Sequence, residues 1–146
     1  MNVSELRAFR NGLSAALRLG SVAVPGLLLR AYARLGLTEV EAMLLIHLMY
    51  FAEREQTRFP TPDQLAARMS TPPDRVLAAI ERVVRDGFVA IEDDVDPSTG
   101  VRGERYDLSP LYERLAKVWT DAEDAAWTAD LDTTFGFGGG APERRD

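Results

Sequence analysis

One segment near the middle of the chain constrains the fold more than any other. Residues 40–51 are apolar at almost every position, and the capping box of Thr38 and Glu41 directly before them favours a helix start. A helix that is apolar on nearly all sides is expected to be buried on nearly all sides. The sequence therefore predicts a central helix with the rest of the domain packed around it, and 146 residues suffice for one such domain.

Two further capping boxes predict a helix-turn-helix after the central helix. Thr61 with Gln64 begins a short helix, and Thr71 with Asp74 begins a longer one. Gly87 ends the longer helix, because glycine readily takes the left-handed conformation at a helix end. A short helix, a tight turn and a longer helix together form the helix-turn-helix pattern.

The sequence after the helix-turn-helix predicts a β-hairpin and one more helix. Residues 88–92 and 101–108 have strand character and are joined by the turn-rich residues 96–100. A final helix is expected over residues 111–131, and the glycine-rich, charged residues 132–146 are expected to be a disordered tail. The predicted fold class is mainly α with a small β wing (α+β), which is a winged helix-turn-helix.

The amino-terminal part of the chain forms a predicted oligomerisation extension, residues 1–25, before a winged-helix domain of residues 26–131. The extension consists of an amphipathic helix over residues 4–19 and a strand over residues 21–24. The strand is expected because Val22 and Val24 are β-branched and Pro25 disfavours helix before it. A helix and a strand without a core of their own must cover their apolar side, either on the same chain or on a second copy. The candidate self-association residues are Leu6, Phe9, Leu13, Leu17, Val22 and Val24.

Composition and motifs do not favour an enzyme. The absence of cysteine excludes disulfides, thiolate metal sites and cysteine nucleophiles. The single histidine, His47, lies within the apolar helix and is expected to be a buried structural residue. The hairpin carboxylates lack the alternating ligands and the glycine turn of a calcium loop, so a solvated hairpin is the preferred interpretation for Glu92, Asp93, Asp94 and Asp96. We therefore expect a non-enzymatic protein with no cofactor and no metal site.

The sequence also does not favour membrane contact. No segment approaches the roughly 20 consecutive apolar residues of a membrane span. The nearest candidate, residues 12–29, is interrupted by Arg18, Gly20 and Pro25. Together with the lack of cysteine, this favours a cytoplasmic protein.

The charge distribution argues against duplex DNA as the main partner. The chain has 17 basic and 23 acidic residues, and in residues 88–108 two arginines stand against six carboxylates. Each phosphate contact needs a nearby cation, so this hairpin would meet a DNA backbone with like charge. DNA binding by this chain alone is expected to be weak or absent. The candidate DNA contacts are arginines of the helix-turn-helix, which alternatively form a solvated helix surface: Arg68, Arg75, Arg82 and Arg85.

Between residues 24 and 115 the sequence resembles the amino-terminal domain of the DnaD family of primosomal proteins. The resemblance is carried by an ensemble of short matches, from residues 35–38 through Phe59-Pro60-Thr61-Pro62 to Gly87-Phe88. Further matching positions are residues 27–32, residues 41–48, Leu65, Met69, Ile91, Glu92, Tyr106, Leu108, Pro110 and Leu111.

The resemblance implies a role early in bacterial replication. Members of the family help to load the helicase together with the initiator DnaA and other loading proteins. Their amino-terminal domain is a winged helix whose added helix and strand mediate self-association and initiator contact, while a separate carboxy-terminal domain carries most of the DNA binding. The given sequence lacks that second domain, as a fragment or a stand-alone relative would. The expected function is a replication-initiation scaffold, and the alternative is a winged-helix transcription regulator that binds DNA.

The small sheet offers a candidate partner surface. In winged helices the segment before the short helix, here Phe59-Pro60, pairs beside the wing. Phe59, Ile91 and Glu104 are then expected to share one face with an apolar centre and an acidic rim. Such a patch suits a protein partner better than a phosphate backbone. Alternatively, Phe59 and Ile91 are ordinary core residues.

Overall fold

Over residues 1–121 the chain is mainly helical, with one small sheet late in this range. A computed structural model describes residues 1–121. In chain order its elements are α1 (Val3–Leu19), α2 (Gly26–Ala31), α3 (Glu39–Arg54), α4 (Pro62–Ala66), α5 (Pro73–Arg85), β1 (Ala90–Val95), β2 (Arg102–Asp107) and α6 (Ser109–Asp121). These elements confirm the α+β class. The order of α3, α4, α5 and the hairpin is that of a winged helix, and this finer classification stays a prediction.

The core lies between α3 and the elements around it. One face of α3 packs against apolar residues of α2, α5 and α6 and against the two residues that precede β1. The fully buried apolar side chains include Leu28, Leu44, Leu45, Met49, Leu65, Val76, Val83, Phe88, Val89 and Leu111. Burying a large apolar side chain is worth about 1.5–3 kcal/mol, so this cluster holds α3 in the central position that the sequence predicts.

The opposite face of α3 differs from the prediction. Met43 is 48% exposed, Val40 is 38% exposed, and His47 is half-buried rather than buried. The expectation of burial on nearly all sides is wrong, because a domain of this size has too few elements to surround its central helix. Partial burial, and to a smaller extent the charge of Arg68, lowers the pKa of His47.

The capping boxes form at two of the three predicted helix starts after residue 37. Those that begin α3 and α4 are present, and at α4 the Thr61 N–H donates to Oε1 of Gln64 over 2.8 Å. The box of Thr71 and Asp74 is not formed. The helix α5 starts later than expected, with Pro72 as its cap residue, and proline has no side-chain acceptor to offer.

The helix α1 extends away from the core. None of its residues is buried. It ends at Gly20, whose φ of 72° lies in the left-handed region, and the side chain of Arg54 from α3 lies against this glycine. The Tyr50 hydroxyl donates a hydrogen bond of 2.8 Å to the carbonyl oxygen of Leu19. These contacts attach the end of α1 to α3 and leave the rest of the helix exposed.

The segment between α1 and α2 is not a strand. Residues 21–25 form neither helix nor strand. The predicted strand over residues 21–24 is thus wrong for the single chain, because a strand needs a hydrogen-bonded neighbour and none of the described residues provides one here. Val22 and Val24 are half-buried and pack against the core.

The strands β1 and β2 form an antiparallel hairpin in which Ile91 lies opposite Tyr106. On the other edge of β2, the Tyr106 N–H donates to the carbonyl oxygen of Arg58 over 3.0 Å. The segment before α4 therefore lies beside the wing, as expected for Phe59 and Pro60. At the hairpin loop, hydrogen bonds from the hydroxyl and the N–H of Ser98 hold the pKa of Asp96 below its ordinary value.

The end of the chain lies outside the described residues. The final helix expected over residues 111–131 is seen as α6 up to Asp121. The predicted tail of residues 132–146 and the boundary at residue 131 stay predictions.

Candidate functional site

One face of the hairpin brings together the three predicted partner-binding residues. Ile91 lies opposite Tyr106, and Glu104 is two residues before Tyr106 on the same strand, so all three side chains share one face. The Phe59 ring stacks on the Tyr106 ring with 4.5 Å between centroids. We call this set, Phe59, Ile91, Glu104 and Tyr106, the wing face. Phe59 is 37% exposed and Ile91 is 42% exposed, which does not fit ordinary core residues, while their role in binding stays a prediction.

Carboxylates surround the wing face. Asp93 lies directly opposite Glu104 in the hairpin, and neither has an ion-pair partner among residues 1–121. Like charges in directly opposed positions destabilise a sheet. Burial raises the pKa of Tyr106, and the negative charge of Glu104 raises it further. The apolar centre of the wing face thus has an unneutralised acidic rim.

Arginines neutralise other carboxylates of the hairpin. Arg58 approaches Asp94 to 3.3 Å, and Arg105 approaches Asp107 to 3.9 Å. These arginines are occupied within the hairpin and its neighbouring segment, so they do not offset the pair of Asp93 and Glu104.

Sequence reasoning missed Tyr106 and Asp93 as members of this site. The alternation within each strand carried the signal. On β1, Asp93 faces the same side as Ile91, and on β2, Tyr106 faces the same side as Glu104, so the register brings all four together. The register itself depends on the hairpin loop and was not fixed by the pattern alone.

The predicted self-association residues fall into two groups. Four of them form an exposed row along α1, the α1 stripe, with exposed fractions of 46% for Leu6, 59% for Phe9, 51% for Leu13 and 73% for Leu17. The other two, Val22 and Val24, pack against the core of their own chain. Of the predicted self-association residues, the structure therefore leaves only the four of the α1 stripe exposed.

The α1 stripe is unusual for a helix in water. Helices in proteins gain most of their stability by packing an amphipathic face, and short isolated helices are marginal. Nothing in residues 1–121 covers this face of α1. Large exposed apolar rows of this kind indicate an interaction surface.

Two of the four arginines considered for DNA contact have structural partners. Arg68 makes a bidentate bond to Glu55, with N–O distances of 2.5 and 2.9 Å, and its guanidinium lies 4.2 Å from the centroid of the Phe51 ring. The hydrogen bond from Arg68 lowers the pKa of Glu55. Arg82 bonds to the buried Glu41.

The other two arginines are less restrained. Arg85 is exposed and approaches Asp86 to only 3.4 Å, and Arg75 has no ion-pair partner within the described part of the chain. The structure thus leaves two of the four arginines, both on α5, available to an external anion.

Neither a metal centre nor a membrane span is found in the described range. Residues 1–121 hold no group of three or more histidine or acidic side chains arranged to bind a metal ion. Over the same residues, every helix is too short or too polar to cross a bilayer.

Comparisons with known proteins point to one family. A sequence model described as the DnaD N-terminal domain matches residues 24–126, which is well over half of the chain. The replicative helicase loading/DNA remodeling protein DnaD of Bacillus subtilis is 35% identical over 96 residues, which cover 66% of this chain and 40% of that protein. The chain therefore spans well under half the length of this relative.

A solved structure agrees with the sequence comparison. The crystal structure of the N-terminal domain of DnaD protein from Geobacillus kaustophilus superposes with a TM-score of 0.63 at 34% identity, covering 80% of this chain and 96% of that one. Together, the matched sequence and the shared structure show that this chain belongs to the DnaD N-terminal domain family.

Proposed function

We propose that this chain is a non-enzymatic replication-initiation module of the bacterial cytoplasm that works by binding proteins. Family membership supports a role in helicase loading, which the name of the Bacillus subtilis relative states for that protein. The observation that carries the proposal is the wing face, an exposed aromatic stack beside Ile91 within an acidic rim. In this proposal the wing face binds the initiator DnaA or a helicase-loading protein.

Charge supports a protein partner over duplex DNA. The hairpin would have to approach phosphates with six carboxylates against two arginines, and one of the two, Arg105, lies opposite Glu92 and approaches Asp107 to 3.9 Å. On α5, only Arg75 and Arg85 are available, so few counterions could be released on binding. The DNA remodelling in the name of the relative belongs to a protein of which this chain spans 40%.

Self-association is the second part of the proposal. The α1 stripe is exposed over the length of the helix, and an unpaired segment, residues 21–25, follows it. A second copy would bury both with the same residues on each side, as two-fold symmetry requires.

The wing face is tested by replacing its aromatic anchor. We expect Phe59→Ala to weaken binding to DnaA by about tenfold, or roughly 1.4 kcal/mol, because buried aromatic anchors dominate binding energy. Titration calorimetry measures the affinity, and circular dichroism shows that the fold persists. Val101→Ala is the matched control, since Val101 is 65% exposed and lies outside the wing face. An unchanged affinity for Phe59→Ala would show that the wing face is not the contact.

The α1 stripe is tested by the mass of the protein in solution. We expect the full chain to be a dimer or larger, and the double variant Phe9→Asp, Leu13→Asp to be a monomer, as is the chain without residues 1–25. Leu77→Asp is the control, because Leu77 is 45% exposed on α5. Light scattering that gives the same mass for all of these proteins would contradict self-association through α1.

A further inference from the structure

We propose that the acidic, aromatic segment of residues 122–137 docks on the α1 stripe of its own chain and thereby competes with self-association. This inference concerns the regulation of the same surface and rests on the proposed function of the α1 stripe.

The α1 stripe has basic flanks. Arg7, Arg10 and Arg18 lie on α1, and Glu5 is its one acidic residue. Glu5 is occupied with the amide of Asn2 in the capping box, and Arg18 donates to the neutral hydroxyl of Ser14 over 2.7 Å. None of the three arginines has a carboxylate partner among residues 1–121. The stripe therefore fits an occupant that is both apolar and acidic.

Residues 122–137 have this composition. The segment contains no lysine or arginine and combines four acidic residues with four large apolar ones. The acidic residues are Glu123, Asp124, Asp130 and Asp132, and the apolar ones are Trp127, Leu131, Phe135 and Phe137. The same interval supplies both the charges that α1 lacks and the large side chains that its stripe can bury.

A second copy of α1 is electrostatically a poorer occupant than this segment. Pairing two α1 helices brings arginines close to arginines, whereas the segment brings carboxylates to them. At low ionic strength this difference favours the segment, and it weakens as salt shortens the screening length to about 10 Å at 0.1 M. Salt is therefore expected to shift the chain from the closed monomer towards the self-associated form.

The length of chain beyond residue 121 is compatible with docking on α1. The helix α6 is described up to Asp121 and packs against α2, which is joined to α1 by residues 20–25. The residues from 122 to 137 reach up to roughly 50 Å when extended, and α1 is about 25 Å long. A short tether gives an effective concentration in the millimolar range, so the segment outcompetes a second copy at submicromolar protein concentration and gives way to self-association as the concentration rises.

Trp127 provides a direct probe of docking. The chain has two tryptophans, so Trp119→Phe leaves Trp127 as the sole one in the full-length protein. We expect blue-shifted emission and weak acrylamide quenching at submicromolar concentration. Adding Phe9→Asp and Leu13→Asp should shift the emission to the red and raise quenching several-fold, while Leu77→Asp should leave both unchanged. Solvent-like emission of Trp127 that does not change on the α1 substitutions would overturn the proposal. Protection of Trp127 from quenching that appears only at high protein concentration would also overturn it.

A charge swap separates this proposal from self-association itself. We expect Asp130→Lys with Asp132→Lys to release Trp127 and to tighten self-association about tenfold, and Arg7→Glu with Arg10→Glu in the same chain to restore protection. If Trp127 is protected by α1 while the mass never depends on concentration, docking holds and self-association fails. If the mass responds to α1 substitutions and Trp127 does not, self-association holds and docking is refuted.

Discussion

At the start of α3, one carboxylate connects two helices. Glu41 is 7% exposed, and its Oε1 accepts the N–H of Thr38 over 2.8 Å. The same carboxylate bonds to Arg82 of α5, which also reaches Asp86 at 3.0 Å. The residue that completes the capping box of the central helix therefore also connects this helix to α5.

We expect Glu41→Ala to lower the free energy of unfolding by about 2 kcal/mol. Loss of the hydrogen bond from the Thr38 N–H costs about 1 kcal/mol, and loss of the ion pair adds a similar amount because Arg82 keeps its contact with Asp86. Urea denaturation measures the change. Glu81→Ala, an exposed site on α5, is the control and should stay within about 0.5 kcal/mol of the unchanged protein. Equal effects at both sites would contradict this role of Glu41.

His47 gives the stability a pH dependence with a definite sign. Burial lowers its pKa in the folded chain, so below its ordinary value of 6.5 the unfolded chain binds more protons. Stability is then expected to fall as the pH drops from 7 towards 5. His47→Gln should flatten this decline, because the sequence has one histidine and no cysteine. Urea midpoints at several pH values test this, and an identical slope in the variant would count against it.

Single residues also show where sequence reasoning succeeds. The capping boxes at Thr38 and Thr61 were predictable because their bonds span only three residues. Adjacent prolines moved the start of α5 past Thr71, and the box of Asn2 and Glu5 at α1 was overlooked although its spacing is the same. The exposure of Met43 could not be predicted, since an apolar helix does not reveal which side its neighbours leave uncovered.

At the scale of elements, the hairpin shows what alternation can and cannot predict. Its two-residue period places Ile91 with Asp93, and Glu104 with Tyr106, on one face of each strand, but the register decides whether the two pairs share a face. The opposition of Asp93 and Glu104 depends on that register, and the stack of Phe59 on Tyr106 depends on a distant segment. The predicted strand over residues 21–24 is wrong for a related reason. Strand pairing needs two segments, whereas the strand propensity of a sequence describes only one of them.

We expect the hairpin charge to control DNA binding. The unchanged chain should bind random duplex negligibly at moderate salt. Asp93→Lys with Asp96→Lys should produce measurable binding, with a salt dependence steeper by about one phosphate contact for each new cation. Glu53→Lys with Glu113→Lys makes the same change of net charge outside the hairpin and should have a smaller effect. Tight, salt-sensitive binding by the unchanged chain, measured by fluorescence anisotropy, would instead favour a transcription regulator.

At the scale of the whole molecule, the α1 stripe and the wing face share no residue. The stripe lies on a helix that meets the body at Leu19 and Gly20, and the wing face lies on the hairpin and the segment before α4. Substitutions at sites without shared partners usually act additively. The two surfaces are therefore expected to work independently.

We expect Phe9→Asp to reduce the mass in solution without changing the affinity of each wing face for DnaA. Phe59→Ala should do the opposite, and the double variant should show both effects in full. Light scattering and calorimetry on the same preparations measure the two properties. A change in per-site affinity of more than about threefold on Phe9→Asp would show that the surfaces are coupled.

The joint at Gly20 has a consequence for the architecture of any assembly. Its φ of 72° is one that a side chain tolerates poorly, at a cost of about 1 kcal/mol, and Arg54 lies where a side chain would extend. The direction of α1 thus depends on the backbone at Gly20, whereas the proposed self-association residues are the four of the α1 stripe. When identical subunits bind head to tail, a small change in the angle between neighbours decides whether the last subunit meets the first in a closed ring or the assembly grows into an open filament. Stoichiometry could therefore change at Gly20 without any alteration of the interface itself.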